Sequence, residues 1–74
     1  MGAFRLSDQY DESILQFFAY SHLREDLQRI SAPFCNLAVD HIMQLPRNPE
    51  RTVSLRKLLE AKDAAVRAAI QTAP

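Results

Sequence analysis

Residues Leu45–Ile70 read LPRNPERTVSLRKLLEAKDAAVRAAI and open with a helix-start signal. Asn48 is suited to an N-cap, and Pro49 falls at the first helical position, where no amide donor is needed. Glu50 then places negative charge at the positive end of the helix dipole. Beyond it, Val53, Leu55, Leu58, Leu59, Val66, Ala69 and Ile70 fall mostly on one stripe with spacings of three and four. The pattern predicts a helix over 49–70, about 33 Å long at 1.5 Å per residue. A chain of 74 residues has little to spare for covering such a stripe. The rest of the protein is expected to pack against this helix, with another copy of the chain covering what remains.

Working back, residues 23–45 keep apolar spacings of three or four through Leu23, Leu27, Ile30, Phe34, Leu37, Ala38, Ile42 and Leu45. Pro33 interrupts this helical face. It either kinks one helix, at a cost of roughly 3 kcal/mol, or stands in the first turn of a second helix capped by Ser31. Pro46 limits the segment, because the residue before a proline disfavours helical backbone. The intervening turn is short enough for an antiparallel hairpin. Residues 11–20, DESILQFFAY, predict a short helix opened by Asp11, and its apolar residues belong in a core or an interface. Tyr20, Ser21 and His22 read as a connection. Residues 1–10 show no sustained period and read as an arm, with Phe4 and Leu6 available to dock. Ala64, Ala65, Ala68 and Ala69 thin the end of the last helix, which suits close helix packing or simply helix formation. The expected architecture is all-α: one domain, a helical hairpin with a short N-terminal helix.

Length sharpens the expectation of self-assembly. A core this small rarely supplies more than about 3–5 kcal/mol, so chains of this size lean on disulfides, metals or oligomerisation. Cys35 is the lone cysteine, and His22 and His41 sit in no ligand motif, so neither a disulfide nor a metal site is expected. The charges balance at nine basic and nine acidic but are unevenly spread. Residues 1–45 carry three basic and six acidic side chains, and residues 46–74 carry six and three. That asymmetry suits head-to-tail self-association or a small anionic ligand, whereas a long nucleic-acid polymer would favour a larger positive excess. The N-terminus lacks the apolar region of a signal peptide, and no apolar run is long enough for a bilayer. Leu6 stands where a myristoylation motif needs Ser or Thr, and Gly2 is the sole glycine, which argues against a glycine-rich phosphate loop.

Catalysis finds little support. Ser21–His22 and Asp40–His41 are sequence neighbours, and neighbours on a helix do not face each other. Glu25–Arg29 and Asp63–Arg67 have the i,i+4 spacing of exposed helix pairs, and Arg56 is in reach of Glu60. Arg47, Arg51 and Lys57 are less well partnered locally, Glu60 being in reach of Lys57. With Thr52 they are what the second half offers a phosphate. Tyr20 is placed either to stack a nucleobase or to pack in the core with its hydroxyl bonded. The residues alone support a small all-α oligomer with a possible anionic ligand.

The pattern FFAYSHLREDLQRISAPFCNLA followed by LPRNPERTVSLRKLLEAKDAAVRAAI resembles small phage proteins, many from phages of actinobacteria, over about Ile14 to Ala68. Through a hairpin of similar length with a LEEA-like second helix it is similar to the helical-hairpin family of phage anti-CBASS sponges, which sequester cyclic oligonucleotide signals. The resemblance implies a compact homohexamer without catalysis or cofactor, acting in the host bacterial cytoplasm. Cyclic dinucleotides would lie between protomers and cyclic trinucleotides in separate pockets. Tyr20 matches the family's stacking tyrosine. The family's first-helix lysine has no counterpart, since residues 23–45 contain none. Phosphate charge would then fall to Arg24, Arg29 or a neighbour's Arg56 or Lys57. Tyr20, His22, Arg24, Arg51, Thr52, Arg56 and Lys57 are the candidate ligand-binding residues, with no catalytic or metal-binding residue expected. The rival reading is a helical protein–protein interaction module with no small ligand.

Overall fold

The computed structural model describes residues 12–71. The expected arm at 1–10 and the start signal at Asp11 lie outside them. The described residues form a 3₁₀ helix, Ser13–Phe18, and two α-helices, α1 (Glu25–Gln44) and α2 (Pro49–Ile70), with no strand among them. The protein is all-α over this range. The two α-helices pack against each other across the Leu45–Asn48 connection, and the 3₁₀ helix contacts both.

The short first helix is wound as 3₁₀ rather than α, and its sequence explains why. With three residues per turn, side chains at i and i+3 eclipse. Leu15 and Phe18 have that spacing, and both are fully buried. The same winding turns Phe17 outward, where 57% of its surface is exposed. Fully burying a leucine or phenylalanine stabilises by about 1.5–3 kcal/mol each, so this pair supplies much of the attachment of the N-terminal element. Leu15 and Phe18 join Cys35, Ala38 and Leu55 in the core, with Ile14, Tyr20, Phe34, Ile42, Leu58 and Leu59 packed around them.

α1 starts at Glu25, two residues later than its apolar period begins. Leu23 is held in a turn instead: its N–H donates to the Tyr20 carbonyl at 3.0 Å. Its own carbonyl accepts from Gln28 Nε2 at 2.7 Å. Pro33 lies inside one continuous helix and does not divide it. The hydrogen bond that Pro33 cannot donate would end on the Arg29 carbonyl. Both residues are exposed, so the missing bond falls on the solvent-facing side of the helix, where carbonyls tilt out toward water.

α2 opens as its start signal implies, with the Arg51 N–H donating to Asn48 Oδ1 at 2.9 Å and Pro49 in the first turn. Its apolar stripe is only partly covered. Leu55 is fully buried, Leu58, Leu59 and Val66 are half-buried, and Val53 and Ile70 are exposed. Val53 is two residues from Leu55 and so nearly on the opposite side of the helix. The surprise in this stripe is Arg51, which is buried.

Candidate ligand groove

The basic residues of α2 meet very different surroundings. Spacing offers Arg51 no acidic partner three or four positions away. The fold supplies one thirty-nine positions away, where an Arg51 guanidinium nitrogen donates to Glu12 Oε1 at 2.9 Å. A second donates to the Leu45 carbonyl at 3.2 Å. The side chains of Arg51 and Glu12 are only 8% and 14% exposed. Arg51 therefore ties the start of the 3₁₀ helix and the connection between helices to the first turn of α2. Its charge is matched by Glu12 and its side chain is mostly covered.

The same end of the molecule has a second cross-helix tie. His41 Nδ1 donates to the Leu37 carbonyl at 2.9 Å, and His41 Nε2 meets Ser54 Oγ at 2.6 Å. A carbonyl can only accept, so Nδ1 carries a proton, and the short Nε2–Ser54 Oγ contact joins the two helices. A shallow cavity of about 260 Å³ adjoins this pair, lined by Leu37, Asp40, His41, Gln44 and Leu45. Its one lining residue of fixed charge is the acid Asp40, which does not suit an anion.

The opposite end of α2 is open. There the 3₁₀ helix and the connection after it stand over α2 and leave a groove of about 360 Å³. Phe17, Ala19, His22 and Leu23 form one wall, and Lys62, Asp63, Val66 and Arg67 form the other. Phe17 is the exposed aromatic face that the 3₁₀ winding turns out of the core. Lys62 lies with most of its side chain covered, 12% exposed, and its Nζ is 2.9 Å from Asp63 Oδ1. Arg67 is exposed on α2, one turn beyond Asp63. An aromatic face, two fixed cations, a histidine and a carboxylate thus converge on a concavity at the lower end of the volumes that small-molecule sites occupy, about 300–1,000 Å³.

The residues singled out by sequence distribute unevenly over this picture. His22 lines the groove. Tyr20 is half-buried and packed on the core. Arg24 is exposed and paired with Asp26 at 3.3 Å. Thr52 is exposed, its hydroxyl directed to the Asn48 carbonyl at 3.4 Å. Arg56 and Lys57 are exposed along α2 and do not line the groove. The i,i+4 pairs Glu25–Arg29, Asp63–Arg67 and Arg56–Glu60 are not formed as ion pairs among the described residues; Asp63 takes its neighbour Lys62 instead. Phe17, Lys62 and Arg67 were not separable by sequence from core, surface and pairing residues, and only the fold brings them together.

Cys35 is buried, and burial pushes its thiol pKa up, which keeps it protonated and a poor nucleophile. No cluster of His, Cys, Asp and Glu able to hold a metal occurs among the described residues. No helix among them is long and apolar enough to cross a membrane. Over the described residues the chain is all-α and carries an amphiphilic, cation-bearing concavity. No protein-family model, curated protein or solved structure matches the chain.

Proposed function

We propose that this protein binds and sequesters cyclic oligonucleotide signals without transforming them, as a phage counter-defence sponge against CBASS in the host bacterial cytoplasm. The observation that carries the reading is the groove: exposed Phe17 beside Lys62, Arg67 and His22. A nucleotide needs a π-face for its base and cations for its phosphates, and aromatic stacking contributes about 1–3 kcal/mol per base. Lys62 supplies a compact charge and Arg67 a forked donor. The resemblance to phage sponges points to the same ligand class, reached through different residues from those the resemblance implies.

The groove's size bears on assembly. About 360 Å³ suits one nucleotide unit, so a cyclic di- or trinucleotide seated there projects beyond this protomer. A second copy would cover the remainder, and a symmetric homo-oligomer, such as a hexamer, fits both that need and the incompletely covered stripe of α2.

Thermal unfolding against cyclic di- and trinucleotides and cyclic ADP-ribose isomers tests the reading. A ligand at 100 times its dissociation constant stabilises by about 2.7 kcal/mol. For domains near this size each kcal/mol moves the midpoint by roughly 4–8 °C. A shift of ten degrees or more with one of these compounds is expected; a flat panel would sink the reading. A second reading, a helical interaction module with no small ligand, draws on the exposed Ile30, Leu37, Met43 and Val53. A flat panel together with a stable complex with a host or phage protein would favour it.

A further inference from the structure

The groove contains one residue that a purely phosphate-binding site would not need. Asp63 lies between its two cations along α2, with its side chain 47% exposed. Its Oδ1 meets Lys62 Nζ at 2.9 Å and keeps a second lone pair, and no other hydrogen bond or ion pair engages the carboxylate among the described residues, so both oxygens can still accept. Near a phosphate this carboxylate is repulsive and weakens binding. Near a base edge that presents only donors, it becomes an acceptor of charge-assisted hydrogen bonds, roughly twice as strong as neutral ones.

Guanine is the base with such an edge. Its N1–H and exocyclic N2–H₂ point the same way and match the two oxygens of one carboxylate. Adenine offers an N6–H₂ donor beside the N1 lone pair, so one carboxylate oxygen would face another acceptor. Leaving a polar group without its partner in a partly enclosed site costs about 1–3 kcal/mol, which is the scale of base discrimination by a single well-placed side chain. Phe17, exposed on the opposite wall, provides the face on which the same base would stack.

We infer that Asp63 is a specificity-determining residue that selects guanine-bearing over adenine-bearing cyclic nucleotides. This rests on the groove being the nucleotide site proposed above. The test is calorimetric titration of the wild-type protein with cyclic di-GMP and with cyclic di-AMP, repeated on Asp63→Asn. The wild type is expected to bind cyclic di-GMP at least tenfold more tightly, and Asp63→Asn to reduce that ratio several-fold, because an amide cannot accept both donors. Comparable affinities in the wild type would overturn the inference while leaving the sponge reading intact, and that comparison needs no variant to fold. A guanine preference that persists undiminished in Asp63→Asn would also overturn it. Binding of neither compound, with no response to any other cyclic nucleotide, would remove the reading on which it stands.

Discussion

The two ends of α2 carry the same kinds of side chain to opposite fates. At its first turn, Arg51 is buried and matched by Glu12 and the Leu45 carbonyl, and the His41–Ser54 contact adds a second tie between helices. Toward its last turns, Lys62 and Arg67 border a concavity with an exposed aromatic ring and a histidine across from them. One end spends its cation on holding three segments together; at the other, Arg67 is exposed beside the groove, and Lys62, mostly covered, pairs with its own neighbour Asp63 and ties no distant segment. The lesson is that a count of basic residues on a helix says little about binding. What separates a structural arginine from a ligand-facing one is whether the fold has already supplied its counter-charge.

That contrast can be broken at the closed end with the largest effect. Removing one partner of a mostly buried ion pair leaves the other uncompensated and costs about 3–5 kcal/mol. Arg51→Ala should therefore lower the thermal midpoint by more than ten degrees, given roughly 4–8 °C per kcal/mol. Replacing Arg51 and Glu12 together by apolar residues of similar size should recover much of that loss, since pair and apolar substitute are often nearly equivalent. A single substitution that leaves the midpoint within a degree or two would show that Arg51 does not clasp these segments together.

At the open end the expected effect is on binding and not on stability. Phe17→Ala removes an exposed ring, so the midpoint without ligand should move little. Affinity for any cyclic nucleotide that stabilises the wild type should fall about tenfold or more, in line with the 1–3 kcal/mol of a base stack. Unchanged affinity would remove Phe17 from the site and leave Tyr20 as the remaining aromatic candidate of this segment.

Much of the scaffold is legible in local chemistry. The start of α2 follows from Asn48, Pro49 and Glu50, each acting through a backbone group within a turn of itself. The apolar spacings of residues 23–45 likewise indicate a helix. Pro33 leaves two outcomes open on local grounds, because its cost depends on whether the orphaned Arg29 carbonyl meets water or protein, and that is decided by which side of α1 faces out. The 3₁₀ winding of Ser13–Phe18 is harder to read. It depends on Leu15 and Phe18 sharing one core, a tertiary demand that overrides the α-like reading of the segment. The groove is the least legible part. Phe17 looks like one apolar residue among several, Lys62 like a solvated charge, and Asp63 and Arg67 like an i,i+4 pair. Their convergence rests on the 3₁₀ helix lying against α2, a contact between residues more than forty positions apart. The Glu12–Arg51 pair is non-local in the same way.

Everything proposed for the open end depends on where the ligand sits. Backbone amide shift mapping by NMR tests it residue by residue, using isotope-labelled protein titrated with whichever cyclic nucleotide gives the largest thermal shift. The strongest perturbations are expected in two blocks, residues 16–23 and 62–67, with Arg56 and Lys57 little affected. Perturbations centred instead on Arg24, Thr52, Arg56 and Lys57, with the groove silent, would contradict it.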